Sequence, residues 1–205
     1  MSQNRHWQVL LIGGSSGTGK TVVSKQIGLQ LGIPWQQVDD LRLALIHSQA
    51  TLPEDTEALY NFQAADVWQQ PPLHLCKALI ALGAVMSPAI EIVVANHVAT
   101  KAPLILEGDA IQPALFARPE IQQYATGGQL QAVFVIEPEE EILLANMQAR
   151  GRNIEGQSDA EQRTEAHAKW LYGQYLAQEA QRYGLPIVEP RPWSTLAERI
   201  LNRVE

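Results

Sequence analysis

The 205-residue sequence predicts an α/β fold, in which helices cover a parallel sheet of five strands. Three observations carry this prediction. Short continuous apolar runs alternate with stretches of helical periodicity, as expected for strands buried on both faces and joined by covering helices. A glycine-rich loop, GGSSGTGKT, separates the first apolar run from the first helical stretch. With 46% hydrophobic and 18% charged residues, the chain can enclose one sizeable core, and a single domain over 1–205 is expected.

Val9-Leu10-Leu11-Ile12 is the first strand. After the loop, Val23, Ile27 and Leu31 recur at i, i+4 and i+8 on a helix that Gly32 and Pro34 end. Trp35 to Val38 reads as the second strand, ending at Asp39-Asp40, and Leu41 to Ala50 as a helix broken by Thr51-Leu52-Pro53-Glu54. Residues 53–101 read as a mostly helical insert without a strand. Pro71-Pro72 punctuates it, Ile80, Gly83 and Ala84 share a face, and Pro88 is expected to open a further helix ending near Lys101. Pro103 to Asp109 holds the third strand and its exit. Ile111 to Tyr124 is helical in pattern, interrupted by Pro113 and Pro119, and Gly127-Gly128 turns the chain into a fourth strand, Ala132 to Ile136. Pro138 at a first helical position, followed by Glu139 to Glu141, starts a helix that runs to Arg150 and stops at Gly151. A polar loop, 151–158, precedes a long helix over about 159–183, with Ala166, Trp170, Ala177 and Ala180 on one face. Pro186 to Glu189 is the last strand. Thr195 and Glu198 form a T-x-x-E capping box for a terminal helix with Leu196, Ile200 and Val204 inward.

Gly14, Gly19, Lys20 and Thr21 fit G-x-x-x-x-G-K-[ST] in the required strand–loop–helix context. The loop residues Gly14, Ser15, Ser16, Gly17, Thr18 and Gly19 would curl so that backbone N–H groups point inward and cradle phosphates. The helix start adds its own N–H groups and its positive dipole end. Lys20 would reach the β/γ-phosphates, and the Thr21 hydroxyl would ligate Mg²⁺.

At these residues the chain resembles the P-loop kinases and NTPases, most clearly over its first 42 or so positions. The resemblance implies a three-layer α/β/α P-loop fold of the nucleoside-monophosphate-kinase-like group, with strand order 2-3-1-4-5 and a lid at about 150–165. The binding crevice then lies beyond the C-terminal ends of the strands, where the loop, Asp39-Asp40, Glu107-Gly108-Asp109 and Arg191 all belong. Asp39-Asp40-Leu41-Arg42 is similar to the D-x-[IL]-R of 2-phosphoglycerate-kinase-like and zeta-toxin-like kinases. On that match Asp39 takes the base role and Arg42 becomes a substrate-anion contact; a carboxylate just past the second strand in this fold could also hold Mg²⁺ through water, and the plain alternative is that one Asp of the pair caps the following helix. Leu104 to Asp109 stands where a Walker B segment belongs. Glu107 could hold Mg²⁺ through water or orient the acceptor, Asp109 is a further substrate-side candidate, and simple burial at a strand end is the plain reading. The segment departs from the Asp-Gly of monophosphate kinases and the Asp-Glu of motor ATPases. Arg150, Arg152 and Arg163 surround the expected lid, where an arginine would neutralise the transferring group; equally, they suit a helix C-terminus. Arg191-Pro192-Trp193 matches the loop that lies against adenine in related kinases, although a structural Trp reads equally well. Arg118 is a weaker substrate-anion candidate.

A net charge of −7 argues against a general nucleic-acid or anionic-membrane binder, while leaving room for a local basic pocket for phosphates. Cys76 is the only cysteine, so no internal disulfide forms, which suits a reducing compartment. The N-terminus lacks a signal-peptide core, and the apolar stretch 78–95 is interrupted by Ser87, Pro88 and Glu91. A cytoplasmic location is therefore expected. The histidines at 6, 47, 74, 97 and 167 lack metal-ligand spacing. The resemblance implies a Mg²⁺-dependent, ATP-using kinase whose partners are ATP and a small hydroxylated, anionic acceptor, with neither nucleic acid nor membrane. A regulatory ATPase acting on a protein and a zeta-toxin-like kinase of a sugar nucleotide are the alternatives.

Overall fold

The computed structural model describes residues 6–48, 51–150 and 156–204. Strands β1 (Val9–Gly13), β2 (Trp35–Gln37), β3 (Leu104–Glu107), β4 (Leu130–Val135) and β5 (Ile187–Val188) form one parallel sheet in the order β2-β3-β1-β4-β5. This is the predicted order. β1 is central, and all five of its residues are buried. Alternation along the strands divides the core in two. Val9 and Leu11, with Leu104, Leu106, Ala132 and Phe134, face one side; Leu10 and Ile12, with Ile105, Val133 and Val135, face the other. Helices α3 (Pro72–Ala99), α4 (Pro119–Thr126) and α6 (Asp159–Arg182) cover the first side, whereas α1 (Lys20–Leu31) and α7 (Leu196–Val204) cover the second. Full burial of each such aliphatic side chain is worth about 1.5–3 kcal/mol, which is why these runs cannot remain at a surface.

Several boundaries differ from the sequence expectation. β2 stops at Gln37, and α2 (Val38–His47) begins with Val38, so Asp39 and Asp40 occupy its first turn. The stretch before Pro72 is not mainly helical: it carries two 3₁₀ turns, Glu57–Tyr60 and Val67–Gln69. Pro88 does not open a helix. It lies inside the continuous 28-residue α3, where Ser87 Oγ donates to the Gly83 carbonyl at 2.9 Å. The buried residues Leu75, Leu79, Leu82, Met86, Ile90 and Val94 run along one stripe through the proline. Their burial outweighs the roughly 3 kcal/mol that an interior proline costs. By length and composition α3 could cross a membrane, with a window of mean hydropathy 2.1, of which 33% is buried here. Ser87, Pro88 and Glu91 therefore do not interrupt it as expected.

Pro113 and Pro119 each start an element, the 3₁₀ turn Pro113–Ala117 and α4, instead of interrupting one helix. β4 is shifted to Leu130–Val135. α5 (Glu140–Arg150) begins two residues past Pro138, with the Glu139 carbonyl accepting from the Leu143 N–H at 3.1 Å. The Thr195–Glu198 box is replaced by a 3₁₀ turn, Trp193–Thr195. The Thr195 hydroxyl donates to the Pro192 carbonyl at 3.3 Å and accepts from Arg199 Nε at 3.2 Å. A capping box that the sequence reading missed starts α6, where Ser158 and Glu161 satisfy each other's backbone N–H groups.

Candidate active site

Parallel pairing of β1 with β3 aligns Ile12 with Glu107, so the exits of two strands far apart in sequence open at the same edge. The phosphate loop leaves β1 under tight steric limits. Gly14 has φ +139°, and a Cβ there would stand 2.2 Å from the Val135 carbonyl oxygen. Gly19, at φ +78°, caps α1, and its missing Cβ would meet the Trp193 ring at 2.3 Å. Neither position tolerates a side chain, one for φ and backbone contact, the other for φ and an aromatic neighbour.

Lys20, the first residue of α1, is only 5% exposed. Its Nζ donates to the Ser15 carbonyl at 2.9 Å and pairs with Asp109 Oδ1 at 2.8 Å. Ser16 Oγ donates to Asp109 Oδ2 at 2.6 Å, so both carboxylate oxygens close onto the loop. Asp109 is itself fixed through its backbone, where the hydroxyl of the fully buried Tyr172 donates to its carbonyl at 2.6 Å. Burial works against ionisation of Asp109. The Lys20 charge, then that of Lys169, together with hydrogen bonds from Lys20 and Ser16, outweigh it and hold the carboxyl below its ordinary value.

Thr21 Oγ1 donates to Glu107 Oε1 at 2.7 Å. Glu107, at the end of β3, is 3% exposed. Burial pushes its carboxyl above the usual range, with smaller contributions from Asp109 and Asp39, against the pull of Lys20 and the Thr21 hydrogen bond. Asp39, in the first turn of α2, is exposed like its neighbour Asp40, and it lies within electrostatic reach of Asp109, Arg42, Lys20 and Lys169. The protein surrounding it raises its pKa, Asp109 adds to this, and Arg42, Lys20 and Lys169 oppose it. Three carboxylates and three cations thus feel one another across the cleft. Among the described residues, no group of three or more His, Cys, Asp or Glu is arranged as a metal cage.

Arg42 lies one turn after Asp39, and its Nε donates to the Leu59 carbonyl at 3.0 Å, in the 3₁₀ turn before α3. Lys169 was not singled out in the sequence. It sits on α6, pairs with Glu165 one turn earlier, and lies 5.3 Å from the centroid of the Trp68 ring. Its i, i+4 spacing from Glu165 was visible, but the spacing could not tell an exposed helix pair from one turned into a cleft.

A cavity of about 590 Å³ adjoins the loop, bounded by Gly19 and Lys20, Val22 of α1, Asn146 and Arg150 of α5, and Trp193. Asn146 Nδ2 donates to the Gly17 carbonyl at 3.2 Å, linking α5 to the loop. Arg150 is therefore brought to the site. Arg152 lies outside the described residues, as do residues 151–155 of the expected lid, whose last part, 159–165, forms the start of α6. Among the described residues, Arg163 makes a 3.9 Å surface ion pair with Glu141. Arg191 is engaged by Glu137 at 2.9 Å and Glu139 at 3.1 Å and does not line the cavity. Arg118 is bound through Nε to Glu91 of α3 at 2.6 Å, at the start of α4, and joins none of the groups described above. Asp40 is exposed.

No protein-family model and no curated protein matches the sequence. Solved structures match its shape. A deoxyadenosine kinase from M. mycoides is similar over 96% of this chain and 98% of its own, with a TM-score of 0.50 at 15% identity. A candidate kinase from Chloroflexus aurantiacus is similar over 98% of this chain and 100% of its own, with a TM-score of 0.51 at 11% identity. Taken with the sheet order and the loop geometry, these likenesses give the chain the fold of the P-loop small-molecule kinases.

Proposed function

We propose that the chain is a single-domain kinase that transfers the γ-phosphoryl group of ATP to a small, hydroxylated, anionic metabolite. The observation that carries this reading is the convergence of Lys20, Thr21, Asp39, Glu107 and Asp109 at the loop. Phosphoryl transfer needs positioning and charge stabilisation more than covalent help, and each of those needs has a residue here. The loop N–H groups and Lys20 hold the phosphates. Asp39, whose raised pKa suits a group that must accept a proton, aligns and deprotonates the acceptor hydroxyl. Arg42 and Lys169, both within electrostatic reach of Asp39, neutralise an anionic acceptor, and the insert over about 53–101 forms its side of the cleft. Arg150 supplies positive charge from the cavity wall, and the lid over about 150–165 excludes water. The cavity beside Trp193 takes the nucleoside.

Thr21 and Glu107 offer two adjacent hard oxygen donors. This donor set fits Mg²⁺, which binds through one or two protein oxygens and keeps water and phosphate as its other ligands. When bound there, the ion would neutralise phosphate charge.

The test is ADP release measured across a panel of hydroxy acids, sugar acids and polyols with ATP and Mg²⁺. Release that depends on one anionic acceptor supports the reading. Turnover independent of every acceptor would favour a regulatory ATPase, and a response to sugar nucleotides alone would favour the zeta-toxin-like alternative.

A further inference from the structure

Trp193 is 43% exposed, unusually open for an indole, yet its ring lies against Gly19 and forms one wall of the cavity. It stands on a stretch poorly equipped to hold itself. Between β5 and the 3₁₀ turn, Glu189-Pro190-Arg191-Pro192 contains two prolines, which have no N–H to donate. Arg199, one turn into α7, supplies the missing donors. Its Nη1 donates to the Glu189 carbonyl at 2.6 Å, its Nη2 to the Pro190 carbonyl at 3.1 Å and to the Pro192 carbonyl at 3.0 Å, and its Nε to Thr195 Oγ1 at 3.2 Å. From the other side, Arg191 Nη2 grips Glu137, whose side chain is completely buried, and Glu139. α7 itself is anchored by Leu196, Ala197, Ile200 and Leu201 in the second core layer. Arg199 does not line the cavity.

We propose that Arg199 is a positioning residue for nucleoside binding: it holds the 189–193 loop so that the Trp193 indole stands over Gly19 as the wall against which the base packs. The inference rests on the ATP reading above. Arg199 acts only through Trp193, and it acts on the base end of the ligand. The phosphate end is held by the loop and Lys20.

Binding of ATP and of inorganic tripolyphosphate is measured by calorimetry on wild type, Arg199→Met, Arg199→Lys, Trp193→Ala and the Trp193→Ala/Arg199→Met double variant, with circular dichroism and thermal melting as fold checks. Arg199→Met and Trp193→Ala are each expected to weaken ATP about tenfold, the scale of one base–aromatic stack, and to leave tripolyphosphate unchanged. The double variant should be no weaker than the weaker-binding single variant, because both remove the same contact. Arg199→Lys keeps the charge and part of the bonding and should fall between; it also serves as the test if the Met variant does not fold. Equal loss of both ligands would reduce Arg199 to a general structural role and overturn the proposal. So would unchanged ATP affinity, or additive losses in the double variant. A wild-type protein that binds neither ligand would overturn the nucleotide reading itself and this inference with it.

Discussion

Asp109→Asn should lower stability and raise phosphate affinity in the same molecule. The Lys20 ammonium and the Asp109 carboxylate are 2.8 Å apart. At an effective dielectric constant of 20 their attraction is about 6 kcal/mol, most of it offset by the cost of taking both charges out of water. Removing one partner of a buried pair costs about 3–5 kcal/mol, because the survivor is left uncompensated. Asp109 keeps 23% of its side chain exposed, so about 2–3 kcal/mol is expected here. Asn can still accept from Lys20 and Ser16, which sets the lower end. Because the folded pKa of Asp109 lies below the ordinary 3.8, this stabilisation is complete above that value and is lost as pH falls through the folded pKa. Denaturant unfolding should therefore separate wild type from Asp109→Asn at pH 7, and the gap should close in strong acid. On the proposed reading, phosphate competes with Asp109 for Lys20 and is repelled by its charge. Relieving both should tighten tripolyphosphate about tenfold, or about 1.4 kcal/mol. If stability and phosphate affinity fall together, or the stability gap is as wide in strong acid as at pH 7, Asp109 is not the counter-ion that holds Lys20.

Lys20→Ala should leave circular dichroism unchanged and strongly weaken ATP binding, measured by intrinsic Trp fluorescence; equal affinity would sink the phosphate-loop assignment. Asp39→Asn should change ATP affinity little and lower acceptor-dependent ADP release by about 10²–10⁴, with Asp40→Asn doing less. The wild-type rate should rise with pH through a pKa above the ordinary 3.8 of Asp, a limb that the Asn variant should lack. Arg118→Met should cost about 1–2 kcal/mol through its half-exposed pair with Glu91, read by denaturant unfolding, and leave ATP affinity unchanged. A selective loss of acceptor turnover would return Arg118 to the substrate side.

Much of this fold is legible residue by residue. Val9 to Ile12, Leu104 to Leu106 and the apolar run after Gly128 announce strands buried on both faces, because only the centre of a parallel sheet buries alternate residues equally. The Gly14–Thr21 loop announces its own conformation, since Gly14 and Gly19 occupy backbone space closed to side chains. The proline expectations were the weakest. Pro88 marks a break in every local reading, yet α3 runs through it, because a stripe of buried residues along the whole helix is worth more than one absent backbone bond. The boundary at Val38 moved for a similar reason: Val38 is buried as the first residue of α2, where it packs against the position of Gly108.

By itself, the sequence determined the strand–loop–helix context of the glycine-rich loop, the α/β class, and Asp39, Glu107 and Asp109 as carboxylates at or just past the ends of β2 and β3. Only the tertiary structure decided which groups meet. Lys20 and Asp109 are joined by the parallel pairing of β1 with β3. Lys169 reaches the same electrostatic cluster from α6, Arg118 is turned away to Glu91, and Arg199 ties down the loop that carries Trp193. Local patterns are set by neighbours within a few residues, through propensity and periodicity. A long-range ion pair or carbonyl clamp has no local signature, because its geometry exists only after distant segments have buried their apolar faces against a common sheet.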